Sequence, residues 1–351
     1  MNSESTQDSL LLRALRREPV PRPPVWIMRQ AGRYMAEFRA VRAQHSFLTV
    51  CKTPELACEV TLQPIAPIGV DAAIIFSDIL IPLEAMGMEL IFGDKGPYLP
   101  DPIRSHRDLG RLRDFSPQES TGFLGDAIRL VKSTLPPGMP LLGFAGAPWT
   151  LAAYMIEGGG SKNYDRIKRF MYNEPAAFDA LMARLVGVLV EYLRYQADSG
   201  ADVLQIFESW GGVLSPQDYK RYALPYLKRV LAGLQGCGVP VIAYMNGAGQ
   251  VLEDLATSGC DAVGVDWRID MGEAFDRVGT RVALQGNMDP CVLYAPISTI
   301  EAEVKRIHAA VGSRVGHIFN LGHGILPDVP VSHAQAFVHA VKSLEGAGVN
   351  V

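Results

Sequence analysis

Short runs of apolar, mostly branched residues recur along the chain, separated by longer stretches in which apolar positions return every three or four residues. The runs are Val25 to Met28, Ala72 to Phe76, Leu141 to Phe144, Val203 to Phe207, Pro240 to Tyr244, Ala262 to Val265, Val282 to Leu284 and His317 to Leu321. They are continuously apolar instead of alternating, which predicts parallel strands buried on both faces beneath a layer of helices. Ala176 to Ser199 and Ile300 to Ala310 are two of the intervening helical segments. Eight strands alternating with helices predict a single-domain (β/α)8 barrel of the TIM type over residues 1–351, with a short N-terminal extension over about 1–20. Met88 to Pro100, with Gly93-Asp94 between apolar flanks, predicts a hairpin after the second strand.

Composition narrows the class. With 48% hydrophobic and 20% charged residues over 351 positions, the chain has ample apolar content for a large core. A net charge of -4 and the absence of any basic run argue against a nucleic-acid partner. Met1 to Arg17 is polar and mixed in charge, unlike a secretory or membrane segment, and the apolar stretch Pro64 to Pro82 is broken by Asp71 and Asp78. The chain is therefore expected in the cytoplasm, with no membrane insertion. Its five cysteines, at positions 51, 58, 237, 260 and 291, are scattered and fit reduced thiols. No histidine stands at metal-binding spacing with a cysteine or with His-Glu-x-x-His, so no metal site is expected.

In a barrel of this kind, chemistry gathers where strands end and loops begin. Those positions hold Arg29 and Arg33, Asp78, Gly146, Glu208-Ser209, Asn246, Asp266, Gly286-Asn287 and Gly322-His323. Arg29, Arg33, Arg39 and Arg42 put four fixed positive charges in one short segment, and guanidinium forks match planar carboxylates. A polyanionic small molecule is the expected ligand; surface ion pairs with Glu37 and its neighbours are the alternative. Asp78 sits among large apolar residues, where it is either a helix N-cap or a buried functional carboxylate. Gly158-Gly-Gly-Ser-Lys162 lacks the spacing of a phosphate loop and is rejected as a nucleotide site. Trp149, Trp210 and Trp267 are expected to pack, or to wall a flat cleft.

The string Pro24-Val-Trp-Ile-Met-Arg-Gln-Ala-Gly-Arg-Tyr34 resembles the N-terminal signature of uroporphyrinogen decarboxylases. Gly143-Phe-Ala-Gly-Ala-Pro-Trp-Thr-Leu-Ala-Ala-Tyr154, continuing to Glu157-Gly-Gly-Gly-Ser-Lys-Asn-Tyr164, resembles their second signature. The likeness continues through Ile75-Phe-Ser-Asp-Ile-Leu80, Glu208-Ser-Trp-Gly211 and Asn320-Leu-Gly-His-Gly324, with Ala36 where many members have proline. It implies decarboxylation of the four acetate side chains of uroporphyrinogen III to methyls, giving coproporphyrinogen III and CO2 in haem biosynthesis. No cofactor is implied, and the state implied is a homodimer with facing clefts.

By the same resemblance Arg29, Gln30, Ala31, Arg33, Arg42, Asp78, Tyr154, Ser209 and His323 contact the tetrapyrrole. Asp78 would receive its pyrrole N–H groups, and Asp78, Arg29, Tyr154 and His323 are the catalytic candidates, the proton donor being open among the last three. Two rivals are a zinc-dependent corrinoid methyltransferase of the same superfamily and a non-catalytic tetrapyrrole carrier. The first lacks its His-x-Cys pair in Ala243-Tyr-Met-Asn-Gly247. The second would not require Asp78.

Overall fold

The computed structural model describes residues 6–93 and 96–344. Strand β1 (Ala73–Ile74) is followed by a hairpin of β2 (Ile91–Gly93) and β3 (Gly96–Tyr98). Then come β4 (Leu141–Gly146), β5 (Val203–Glu208), β6 (Val241–Met245), β7 (Ala262–Gly264), β8 (Ala283–Gln285) and β9 (His317–Ile318). Except for the hairpin, these strands form one parallel sheet in the order β1-β4-β5-β6-β7-β8-β9. The hairpin stands where expected, with Asp94 outside the described residues.

The eighth stave is not the strand expected over Val25 to Met28. Val25 makes a single parallel bridge to Phe319, with Trp26 N–H donating to the Phe319 carbonyl at 3.3 Å and Phe319 N–H to that of Pro24 at 2.8 Å. On its other side the Val25 carbonyl accepts from Asp71 N–H at 2.8 Å, so this short segment joins β9 to β1 and closes the ring. The stave is cut short because the chain turns at once: Gln30 N–H bonds the Ile27 carbonyl at 2.9 Å, and Arg29 takes a left-handed φ of 65°. Such a conformation is uncommon for a residue with a Cβ.

The helices follow from local chemistry. Helices Pro148–Glu157, Pro175–Asp198 and Pro216–Tyr222 each open with proline, whose missing N–H is no loss in a first turn. The helix expected over Ala176 to Ser199 forms as Pro175–Asp198 and buries Phe178, Leu181, Leu185, Leu189, Tyr192 and Leu193 on one face. Each such full burial of an aliphatic or aromatic side chain is worth about 1.5–3 kcal/mol. The helix Leu10–Leu15, capped by Ser9, buries Leu11, Leu12 and Leu15 and packs against β9.

Where the strands begin, three aspartates repeat one device. Asp71, Asp202 and Asp261 each precede a strand, and each carboxylate accepts the N–H that opens the neighbouring stave, from Val25 at 2.9 Å, Leu141 at 2.7 Å and Val241 at 2.7 Å. Asp71 is also gripped bidentately by Arg22, at 2.7 and 2.8 Å, and Asp202 by Lys132 at 2.7 Å. Inside the barrel, Trp26 donates to Gln285 at 2.9 Å and Gln285 to Gln205 at 3.1 Å, a polar chain crossing the core between staves distant in sequence.

Candidate active site

Where the strands end, the rim divides into a half whose polar groups satisfy one another and a half whose groups stay open. In the closed half, the fully buried Asp266 accepts from Gly247 N–H at 2.8 Å and pairs with Arg268. Asn287 donates to the carbonyls of Asp266 and Ile269 at 3.0 and 2.7 Å. These groups are spent on holding loops together.

In the open half, Asp78 follows β1. It does not cap a helix: the next helix, Ile81–Ala85, begins after Leu80 and has no side-chain cap. Asp78 Oδ1 instead accepts Leu80 N–H at 2.8 Å in an Asx turn, which fixes the carboxylate while Oδ2 receives no protein donor among the described residues. Burial raises its pKa to about 6, against the Leu80 N–H and the positive charge of Arg29, which lower it. An acceptor-hungry carboxylate at a barrel mouth is suited to receive N–H donors from a ligand.

Arg29 is aimed by the loop after β9. Asn320 Oδ1 accepts Met28 N–H at 2.9 Å and Ile325 N–H bonds the Met28 carbonyl at 2.9 Å. A Cβ at position 324 would lie 2.4 Å from Arg29 Cδ, so Gly324 is the slot through which the arginine stem passes. Gly322 likewise makes room for the Trp267 backbone, 2.8 Å from where its Cβ would sit. The close approach expected around His323 is thus made by the protein's own segments.

The four arginines separate into two kinds. Arg29 and Arg33 are exposed and have no ion-pair partner among the described residues, so pairing of Arg33 with Glu37 is not seen. Arg39 donates to the carbonyls of Arg33 and Tyr34 at 2.8 and 3.0 Å, and Arg42 donates to that of His45 and lies over the Phe47 ring. Gln30 is a strut: its amide accepts from Ile27 N–H at 3.1 Å and donates to the Ala72 carbonyl at 3.0 Å. Ala31, beside it, is half-buried against the core.

Tyr154 faces this open half, where burial and then the Asp78 charge raise its pKa while Arg29 opposes them. Its ring lies 6.2 Å from that of Trp210, which also contacts Tyr164 at 5.2 Å. Trp149 is buried and donates to the Trp210 carbonyl at 3.1 Å, while Trp267 stays partly exposed beneath Arg268. Ser209, after β5, is half-buried. Burial, then the charges of Arg29 and Arg268, lower the His323 pKa to about 4, so its imidazole is neutral near pH 7. Arg268 and Tyr244, whose hydroxyl holds the Gly322 carbonyl at 2.9 Å, were not foreseen as part of the rim. Arg268 stands two residues past a strand-end aspartate, a signal from which it could have been found.

The glycine run after Glu157 stops a helix and carries no ligand feature. Gly158 is left-handed at φ 88°, and its carbonyl accepts Leu99 N–H from the hairpin at 2.8 Å. The cysteines are all unpaired, and among the described residues no cluster of His, Cys, Asp or Glu is placed to hold a metal ion.

Comparison with known proteins adds a family. The model for uroporphyrinogen decarboxylase (URO-D) matches residues 6–344. A uroporphyrinogen decarboxylase of Myxococcus xanthus is 52% identical over 331 residues, 94% of this chain and 95% of that protein. One from Carboxydothermus hydrogenoformans is 49% identical over 334 residues, 95% of each. Among solved structures, a methyltransferase from Methanosarcina mazei superposes with a TM-score of 0.79, covering 96% of this chain and 98% of its own, at 21% identity, a likeness of fold alone.

Proposed function

We infer the function from one premise: the chain belongs to the uroporphyrinogen decarboxylase family. It is a carboxy-lyase of porphyrin biosynthesis, converting the acetate side chains of uroporphyrinogen III to methyls, with coproporphyrinogen III and CO2 as products. The observation that carries the site is Asp78, a carboxylate fixed through one oxygen and open through the other, at a barrel mouth that also presents Arg29 and Arg33, which have no ion-pair partner among the described residues.

Loss of CO2 from a pyrrole acetate leaves an electron pair on a methylene carbon with no carbonyl beside it, so the ring must accept it. A proton added to the neighbouring ring carbon makes the pyrrole cationic. The C–C bond to CO2 then breaks, its electrons neutralise the ring, and an exocyclic methylene remains. That carbon takes a proton, the ring carbon releases one, and a methyl results. No organic cofactor or metal enters these steps. Asp78 lies where pyrrole N–H donors would converge, and its charge stabilises the cation without moving. Arg29 and Arg33 hold peripheral carboxylates, with Arg42, Ser209 and Tyr154 around the ring edge, while the backbone at Gln30 and Ala31 borders it. His323, neutral near pH 7 before substrate arrives, supplies a hydrogen bond to the bound macrocycle. The candidate proton donors are Arg29, Tyr154 and His323.

By family likeness the protein is a cytoplasmic homodimer with facing clefts; among the described residues no helix is long and apolar enough to cross a membrane. Sedimentation at micromolar concentration yields a twofold mass on this reading. The enzymatic test is conversion of uroporphyrinogen, resolved by carboxylate number, after exhaustive chelation and dialysis. Undiminished turnover is expected. Binding without turnover supports a carrier, and activity restored only by zinc supports the methyltransferase reading.

A further inference from the structure

Glu208 ends β5 immediately before Ser209 and Trp210, yet it is only 1% exposed. Its Oε1 accepts from the hydroxyl of Thr150, which itself accepts Trp210 N–H at 3.3 Å. Thr150 and Tyr154 stand four residues apart on helix Pro148–Glu157 and so share a face. The Trp210 ring lies against Tyr154, and Trp149 donates to the Trp210 carbonyl. One side chain therefore joins the helix that carries Tyr154 to the loop that carries Ser209.

The groups facing Glu208 are Thr150 from that helix, Trp210 and Gly211 from the loop, Tyr219 from helix Pro216–Tyr222, and Met245 from β6. None carries a positive charge. Packing is tight, since a Cβ on Gly211 would meet Glu208 Cγ and Met245 Cε at 2.8 Å and Tyr219 Cε2 at 3.1 Å. Glu208 Oε2 and the Tyr219 hydroxyl are buried without a hydrogen-bond partner among the described residues. An ionised carboxylate here lacks both solvent and a counter-charge, which is why burial raises its pKa to about 8, against the bonds from Thr150 and Trp210.

We propose that Glu208 is a positioning residue that works as a neutral carboxylic acid, locking Tyr154 and Ser209 into one rim, and that its ionisation unlocks them. The proposal rests on the decarboxylase reading of this cleft. The experiment follows uroporphyrinogen turnover and tryptophan fluorescence of the substrate-free protein from about pH 6 to 9.5 in wild type, Glu208→Gln and Glu208→Ala. Wild type should lose kcat, with KM little changed, as Glu208 ionises near pH 8, and its fluorescence should shift with the same midpoint. Glu208→Ala should lower kcat by about 10–100-fold across the range, the scale of a slight misplacement of a reacting group. Glu208→Gln, uncharged and of the same length, should restore most of that turnover and abolish both alkaline transitions. An alkaline limb and a fluorescence shift that persist in Glu208→Gln overturn the proposal, as does wild-type kcat in Glu208→Ala. If the alanine variant does not fold, the glutamine comparison decides alone. A wild type that never decarboxylates defeats the functional reading instead, while the fluorescence titration still reads Glu208 itself.

Discussion

The two ends of the barrel use the same side chains in opposite ways. Where strands begin, Asp71, Asp202 and Asp261 each accept a backbone N–H from the preceding stave, and the first two are further held by Arg22 and Lys132. Where strands end, Asp78 offers an oxygen with no protein donor, and Arg29 and Arg33 have no anion, among the described residues. Paired charges hold a fold together. Unpaired ones cost the fold some stability and are the groups that the proposed substrate would pair.

This contrast is broken most directly at Asp78. Asp78→Asn keeps the volume but removes the charge, and turnover should fall by about 10²–10³ in single-turnover decarboxylation, more than product affinity does. The fold should not suffer. Because the Asp78 pKa is raised from 3.8 to about 6, its ionised form costs the folded state stability increasingly as pH rises through that window, and the full cost is present at pH 7. Asp78→Asn should therefore melt at or above the wild-type temperature at pH 7, and a lower melting temperature would make Asp78 a structural residue. Arg29→Lys and Arg33→Lys, which keep the charge but lose the fork, should each cost roughly 1.5–3 kcal/mol in kcat/KM. Unaltered kinetics in both would return these arginines to the solvent. At the other end, Asp202→Asn should lower unfolding free energy in urea by about 1–3 kcal/mol, while turnover per folded molecule holds. The smallest effect concerns pH: product affinity should weaken below about pH 6 as Asp78 takes up a proton. That component should vanish in Asp78→Asn.

Much of this was legible in the chain because burial on both faces of a parallel sheet writes continuous apolar runs. β5 and the helix Pro175–Asp198 lie within two residues of where those runs place them. The first stave was overread, since apolarity over Val25 to Met28 cannot show that Arg29 turns left-handed and ends the pairing. At the site, strand ends marked Asp78, Glu208 and His323, but not which rim groups are consumed by each other. That Asp266 is paired while Asp78 is open depends on how Arg268, two residues on, folds back over it and on the Gly247 N–H from the end of the neighbouring stave, and a run of apolar residues records neither. Gly324 illustrates the same limit: its need is set by Arg29, nearly the whole chain away.

The central claim is that the open half of the upper rim is the decarboxylation site, and a crystal structure with the coproporphyrinogen product bound tests it most directly. The account predicts the pyrrole N–H groups directed at Asp78 Oδ2 and peripheral carboxylates on the Arg29 and Arg33 guanidinium groups, with the Asp71, Asp202 and Asp261 contacts unchanged. A macrocycle seated elsewhere, with Asp78 bonded only to Leu80 and both arginines still in solvent, would contradict it.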